Sequence, residues 1–150
     1  MKVRRDFVTN SSSSSFILGF NNENEIDDIV NQLPSYWYDD AIQSVIYDIK
    51  DGITSKEYAK EVNADSYYTW QWRFNGKSYW DMTRSEIESD EYKAFIENKI
   101  NKLSAEFNEE LDKYNIISIV EYEDHTDFGS EMEHNIMPYL ENTIRRISHH

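Results

Sequence analysis

The sequence contains no cysteine, only two prolines and only four glycines among its 150 residues. Without thiols, the chain cannot form a disulfide scaffold, a cysteine-ligated zinc site, an iron–sulfur cluster or a thiol catalytic centre. Four glycines are too few for a glycine-rich phosphate loop, and no GxSxG, P-loop or GxGxxG motif is present. Any enzymatic site would therefore depend on histidine and carboxylate side chains.

Basic residues and long apolar runs are also scarce. Fifteen Lys and Arg stand against 29 Asp and Glu, which leaves a formal net charge of −14. This balance argues against direct binding to nucleic acid or to anionic membranes, because both need stripes of basic residues. Since apolar runs reach only about five residues, we expect no transmembrane segment. No apolar stretch of signal-peptide length follows the N-terminus, so we expect a cytoplasmic protein.

Aromatic residues, by contrast, are plentiful and make up 15% of the chain. Disordered chains are poor in aromatics, and this length suits one domain. We therefore expect a single domain over residues 1–150, with a serine-rich loop at residues 9–15, because serines alone offer no apolar face. The 16 Ile, 13 Asn and 11 Tyr use A/T-rich codons, which indicates a bacterial or phage origin.

The periodicity of apolar residues predicts an α+β fold with a small, mostly antiparallel sheet. Its predicted strands are an N-terminal strand (a weak pattern at residues 2–8 and an apolar run at 16–20), a hairpin over residues 67–82 and a central strand at residues 116–122. The hairpin prediction depends on Asn75-Gly76, a dipeptide typical of two-residue turns. Its expected core face holds Tyr68, Trp70, Trp72 and Phe74.

Helices are predicted around and between these strands. The longest, at about residues 90–114, carries a single apolar seam. Capping residues and apolar spacing predict the others at residues 22–33, 37–51 and 54–63, with Asn22 as the cap of the first and Thr54 with Glu57 as a capping box for the last. Thr83 with Glu86 is predicted to form a further capping box ahead of the long helix. A last helical region after Pro138 is expected to turn Leu140, Ile144 and Ile147 inward. The two C-terminal histidines, His149 and His150, resemble the remainder of a purification tag, so no function is inferred from them.

The first candidate functional segment is the N-terminal block, residues 5–17, which reads RDFVTNSSSSSFI. It resembles the opening, typically GFVSNSSSSSFI, of a group of uncharacterised proteins from Firmicutes and their phages. The resemblance covers about 20 of 150 residues, has Asp6 where Gly is common, and implies no activity. The tract is either a flexible loop or a segment that another protein recognises or modifies, for instance by phosphorylation. The candidate modification sites are Ser11, Ser12, Ser13, Ser14 and Ser15.

The second candidate is the acidic, histidine-containing segment at residues 121–134. Its nitrogen and oxygen ligands suit Zn²⁺, Mn²⁺ or Fe²⁺. The spacing matches neither HExxH nor a calcium-loop motif, so a solvated acidic turn, or a pH-sensitive one without metal, is the alternative interpretation. The candidate ligands are His125, Asp127, Glu131 and His134.

The third candidate is a protein-binding surface formed by the aromatic hairpin and the long helix. Trp80 is predicted on the hairpin face opposite the core, where an exposed Trp would anchor an interface. Carboxylates along the helix either imitate a phosphate backbone or keep the protein soluble. The candidate binding residues are Trp80, Glu97, Glu106, Glu109, Glu110 and Asp112.

These observations favour binding over catalysis. The first hypothesis is a non-enzymatic protein that binds the basic surface of another protein and inhibits a host defence or nucleic-acid-handling complex. The second is a small metal-binding domain or hydrolase that uses residues 121–134. The third is a protein whose serine tract is modified or recognised. No cofactor, catalytic residue or membrane partner is predicted.

Overall fold

A four-stranded antiparallel sheet organises the computed structural model, which describes residues 12–149. Helices pack against the sheet, so the predicted α+β class is confirmed. The strand order is β2-β3-β1-β4, which places β1 and β3 inside the sheet and confirms the inner position predicted for residues 116–122. The strands are β1 (Ser13–Phe20), β2 (Ile53–Thr54), β3 (Ile116–Glu123) and β4 (Thr143–His149).

Five of the six α-helices within residues 12–149 begin where a polar side chain caps them, and two of these caps, Asn22 and Thr83, are the predicted ones. Asn22, Ser89 and Thr126 each accept a hydrogen bond from the first turn of the helix that follows, and Ser55, not the predicted Thr54, does so for the helix that begins at Lys56. The predicted long helix ends three residues early, at Leu111. The helices are α1 (Glu23–Asp27), α2 (Asp39–Asp51), α3 (Lys56–Ala64), α4 (Arg84–Ile87), α5 (Asp90–Leu111) and α6 (Asp127–Glu131).

Turns tighter or wider than an α-helix extend two of these helices, α1 and α6. A 3₁₀ turn, Asp28–Gln32, follows α1, so the predicted helix at residues 22–33 is α-helical only in its first half. The chain passes from α6 into a π-helical turn, Met132–Ile136, and then into a 3₁₀ turn, Met137–Tyr139. No helix within residues 12–149 combines the length and the apolar character needed to cross a membrane.

Strand β1 is buried on both faces. Phe16, Leu18 and Phe20 pack with α1, α2 and residues 132–140, whereas Ile17 points to the opposite face. There it joins a second cluster with side chains from α3 and α5. Burial on two faces explains why residues 16–20 form a continuous apolar run and do not alternate.

Residues 13–15 do not belong to the loop that we predicted for residues 9–15, and residues 9–11 of that prediction lie outside the described part of the chain. Ser13, Ser14 and Ser15 form the first half of β1 and pair with both β3 and β4, and Ser13 and Ser14 are buried. The sequence pattern misleads here because the inner position of the strand satisfies its backbone groups, and buried polar partners satisfy serine hydroxyls. The strand predicted at residues 2–8, and Ser11, lie outside the described residues.

The hairpin predicted at residues 67–82 is wrong beyond its turn. Asn75 and Gly76 have the positive φ angles of the predicted turn, 51° and 78°. Only Phe74 and Lys77 pair, and 3₁₀ turns replace the flanking strands. The aromatic rings contact other elements: Phe74 packs on Tyr92 and Phe95 of α5, with centroids 5.4 and 5.1 Å apart. Tertiary packing therefore overrides cross-strand pairing, and Tyr68 and Trp70 of the predicted core face are exposed.

The helix predicted after Pro138 is also wrong, because residues 143–149 form β4. A bulge explains the misleading spacing of three between Ile144 and Ile147. Leu18 pairs with Thr143 and Ile17 with Arg145, so one extra residue, Ile144, is inserted into β4. An inserted residue shifts the alternation by one, and both isoleucines then reach the same cluster.

Candidate functional site

The serine tract and the acidic segment, which the sequence singles out separately, meet at one end of the sheet. Antiparallel pairing places Ser13 opposite Glu123, so Ser12 lies beside Asp124. The Ser12 amide donates to Asp124 Oδ1 at 3.3 Å, and its hydroxyl donates to Oδ2. In return, the Asp124 amide donates to the Ser12 carbonyl at 3.1 Å. The carboxylate is thereby held in one orientation by the start of β1.

Glu133, in the π-helical turn, is the most unusual residue of this region, because its carboxylate is fully buried. Ser14 Oγ donates to Glu133 Oε1 at 3.1 Å, and Arg146 Nη2 lies 3.6 Å from the same oxygen. Arg146 also donates from Nε to Ser14 Oγ at 3.0 Å. The second carboxylate oxygen, Oε2, has no hydrogen-bond partner among the described residues. Buried ionised oxygens without a donor are rare, because desolvation disfavours them.

His134 completes the cluster. Its Nε2 lies 3.9 Å from Asp124 Oδ2 and 3.9 Å from Glu133 Oε2. The Ser12 hydroxyl holds the pKa of Asp124 below its usual value, and the Ser12 amide and the charge of His134 act in the same direction against partial desolvation. Ligand atoms of Asp124, Glu133 and His134 all lie within 4.8 Å of one another. These three side chains are the set that could hold a metal ion.

This set shares only His134 with the predicted one, because the structure does not bring His125, Asp127 and Glu131 to the same point. His125 Nδ1 contacts Glu123 Oε2 at 3.0 Å, and Glu131 Oε2 accepts from Asn135 at 3.4 Å. Asp127 is exposed in the first turn of α6. No local signal distinguishes Glu133 from the neighbouring acids, since its burial depends on β1 and β4.

A groove of about 410 Å³ runs along α5, and Tyr79, which lines it, contacts the other predicted candidate, Trp80. The helix buries Tyr92 near its start and Phe107 and Leu111 near its end. Between them, Ile96 and Ile100 are only half-buried and line the groove, with Tyr79 opposite. Trp80, whose residue surface is 75% exposed, packs edge-on against Tyr79 with centroids 5.2 Å apart. The middle of the apolar seam is thus open to solvent next to an exposed indole.

The predicted acidic residues of α5 do not form one array. Nine residues separate Glu97 from Glu106, which places them on opposite sides of an α-helix. Glu97 lines the groove beside Lys93, whereas Glu110 pairs with Lys113 at 2.9 Å and Asp112 with Lys60 at 3.4 Å. Glu106 and Glu109 are exposed. The helix surface therefore carries both signs of charge, and a continuous carboxylate stripe is not present on it.

Comparisons of the chain with protein-family models, with curated proteins and with solved structures found no match.

Proposed function

We propose that this protein acts by binding another protein, with the groove along α5 and Trp80 as its contact surface. The observation that carries the proposal is the open middle of the α5 seam, where Ile96 and Ile100 line a groove and are only half-buried. An amphipathic helix normally buries such positions. An unfilled stretch of seam next to an exposed Trp is typical of grooves that receive a partner helix or peptide.

The proposed partner segment carries apolar anchor residues flanked by Lys or Arg. Its apolar residues would fill the groove between Tyr79 and Ile100, and Trp80 would cover one edge. Basic flanks are expected because the chain has a net charge of −14 and Glu97 lies at the groove. Lys93, which also lines the groove, requires at least one polar or acidic neighbour in the partner.

An inhibitor of a nucleic-acid-handling complex remains within this proposal, but as a groove-anchored binder and not as a phosphate mimic. The two modes differ in their dependence on salt. Burial of apolar anchors is nearly independent of ionic strength, whereas affinity from surface charges falls as the Debye length shrinks from about 14 to about 4 Å between 50 and 500 mM salt. Groove-anchored affinity should therefore fall less than about tenfold over this range.

Quantitative co-purification from the native host tests the proposal, with Trp80→Ala and Ile100→Glu as groove variants. Tyr139→Ala is the matched control, because Tyr139 is exposed like Trp80. Trp80 contacts Tyr79, which lines the groove, whereas Tyr139 lies in the 3₁₀ turn Met137–Tyr139, which packs on β4. We expect a partner that the wild type and the control retain and both groove variants lose. For the purified complex, Trp80→Ala should weaken the affinity by about 30-fold, as interface Trp anchors do. Equal recovery of every partner by the groove variants would overturn the proposal.

A further inference from the structure

A second site, separate from the α5 groove, is formed where three segments converge. Asp124 follows β3, Glu133 and His134 belong to the π-helical turn, and Ser12 and Ser14 lie just before and within the start of β1. The separations of 3.9 Å from His134 Nε2 to the two carboxylate oxygens are too long for hydrogen bonds. Two ligands at about 2.1 Å from a tetrahedral ion lie roughly 3.4 Å apart. Binding an ion would therefore shorten both His134 separations by roughly 0.5 Å and bring the two carboxylates, whose ligand atoms lie within 4.8 Å of each other, closer together.

The buried carboxylate of Glu133 points to an occupant of this space. Its Oε1 is satisfied by Ser14 and faces Arg146, but Oε2 has no hydrogen-bond donor in the described part of the chain. This orphan oxygen is the one on the side of His134. A cation that binds Oε2 would supply the missing partner. The charges around the site permit a cation, because the carboxylates of Asp124 and Glu133 outnumber the single guanidinium of Arg146, and the imidazole of His134 can bind a metal.

The surroundings resemble the outer shell of a metal site. Hydroxyl and amide groups of Ser12 orient Asp124, and the hydroxyl of Ser14 orients Glu133. Hydrogen bonds of this kind, made to the ligating groups and not to the ion, fix the direction of the ligating oxygens. The π-helical turn, Met132–Ile136, adds a further indication, because single π turns occur frequently at functional sites.

We propose that Asp124, Glu133 and His134 bind one divalent transition-metal ion. Two carboxylate oxygens and one imidazole nitrogen suit Zn²⁺ and Mn²⁺, and a site of this composition binds Zn²⁺ more tightly than Mn²⁺. Three protein ligands leave at least one coordination position, which water can reach past the exposed His134 side chain. Ser12, just before β1, and Ser14, within β1, act as positioning residues for the ligands.

The test is titration calorimetry with Zn²⁺ and with Mn²⁺ on the full chain, with His149 and His150 replaced by Gln to remove competing imidazoles. We expect one equivalent of metal, confirmed by elemental analysis after dialysis. Asp124→Asn and His134→Gln should each weaken binding at least tenfold, and Ser12→Ala about tenfold through the loss of its hydrogen bond. The matched controls, His125→Gln and Asp127→Asn, should bind like the parent.

Binding well below one equivalent would overturn the proposal, and so would binding that survives Asp124→Asn and His134→Gln or is lost in His125→Gln. Glu133→Gln removes the central ligand but also alters a buried group. Should that variant not fold, Mn²⁺-induced broadening of amide NMR signals in the parent chain decides. Broadening centred on residues 124 and 133–134 supports the site, and broadening centred on residues 125–131 or spread over the surface contradicts it.

Discussion

At the scale of single residues, a few positions depend on close contacts that only one side chain permits. Gly19, in β1, faces the ring of Tyr114, and a Cβ at this position would lie 2.4 Å from two ring carbons. Real Cβ atoms do not approach ring carbons so closely, and core overpacking typically costs 1–3 kcal/mol. Glycine is therefore required here by packing and not by its backbone angles.

We expect Gly19→Ala to lower the free energy of unfolding by about 1–3 kcal/mol. A double-mutant cycle with Tyr114→Ala, measured by urea unfolding, isolates the clash. With the ring removed, Gly19→Ala should be neutral or stabilising, because Ala loses less backbone entropy than Gly in a strand. An equal loss of stability in both backgrounds would show that the ring is not the cause.

At the scale of elements, local sequence signals predicted helix starts well and strand partners poorly. Thr83 and Glu86 form the predicted capping box: the Thr83 amide donates to Glu86 Oε1 at 3.0 Å, and the Glu86 amide donates to Thr83 Oγ1 at 3.2 Å. Lys77, beside the Asn75-Gly76 turn, adds its ammonium group at 2.9 Å from Glu86 Oε2. The box thus joins α4 to the turn.

The contribution of this capping box to the free energy of unfolding should depend on pH. The Thr83 amide and then Lys77 lower the pKa of Glu86 from 4.5 to about 2. Because the folded pKa lies below the unfolded one, the ionised carboxylate stabilises the fold fully above about pH 4.5, and this contribution disappears as pH falls towards 2. Glu86→Gln should therefore unfold more easily than the wild type at pH 7.

Urea unfolding at pH 7, 5, 3 and 2 provides the measurement. The difference between wild type and Glu86→Gln should stay constant down to pH 5 and shrink below it. Glu88→Gln is the control, since Glu88 pairs with Arg84 at 2.9 Å on the exposed surface, where ion pairs contribute little. A difference for Glu86→Gln that does not change with pH would rule out the ionised carboxylate as its source.

At the scale of the whole molecule, the unexpected feature is that Ser13, Ser14 and Ser15 lie in the middle of the sheet. β1 pairs with β3 on one side and β4 on the other, and helices cover both of its faces. Segments of this kind exchange their amide hydrogens only through global unfolding. A serine loop would exchange them almost at once.

We expect amide exchange at Ser13, Ser14 and Ser15 to be as slow as at residues 16–20. Exchange at Ile53 and Thr54, in the two-residue edge strand β2, should be faster by several orders of magnitude, and this strand serves as the internal reference. Exchange measured by NMR on the full chain tests the prediction. Fast exchange confined to residues 13–15 would restore the loop interpretation.

The burial of Ser13 and Ser14 also closes them to a modifying enzyme while the protein is folded.

Local patterns of residues along the sequence were sufficient to predict the α+β class, α2, the long helix α5, β3 and the turn at Asn75-Gly76. These features depend on periodicity, capping and backbone angles, which neighbouring residues control. Contacts between distant residues decided the rest. Residues 67–82 pack their aromatic rings on α5 and do not pair as a hairpin. Residues 143–149 form β4 and not a helix, because they pair with the edge of β1. Ser13, Ser14 and Ser15 form a strand because β3 and β4 pair with their backbone groups on both sides. Glu133 becomes a candidate ligand only through this burial, since the free energy of its carboxylate depends on groups from β1 and β4 that no local pattern places beside it.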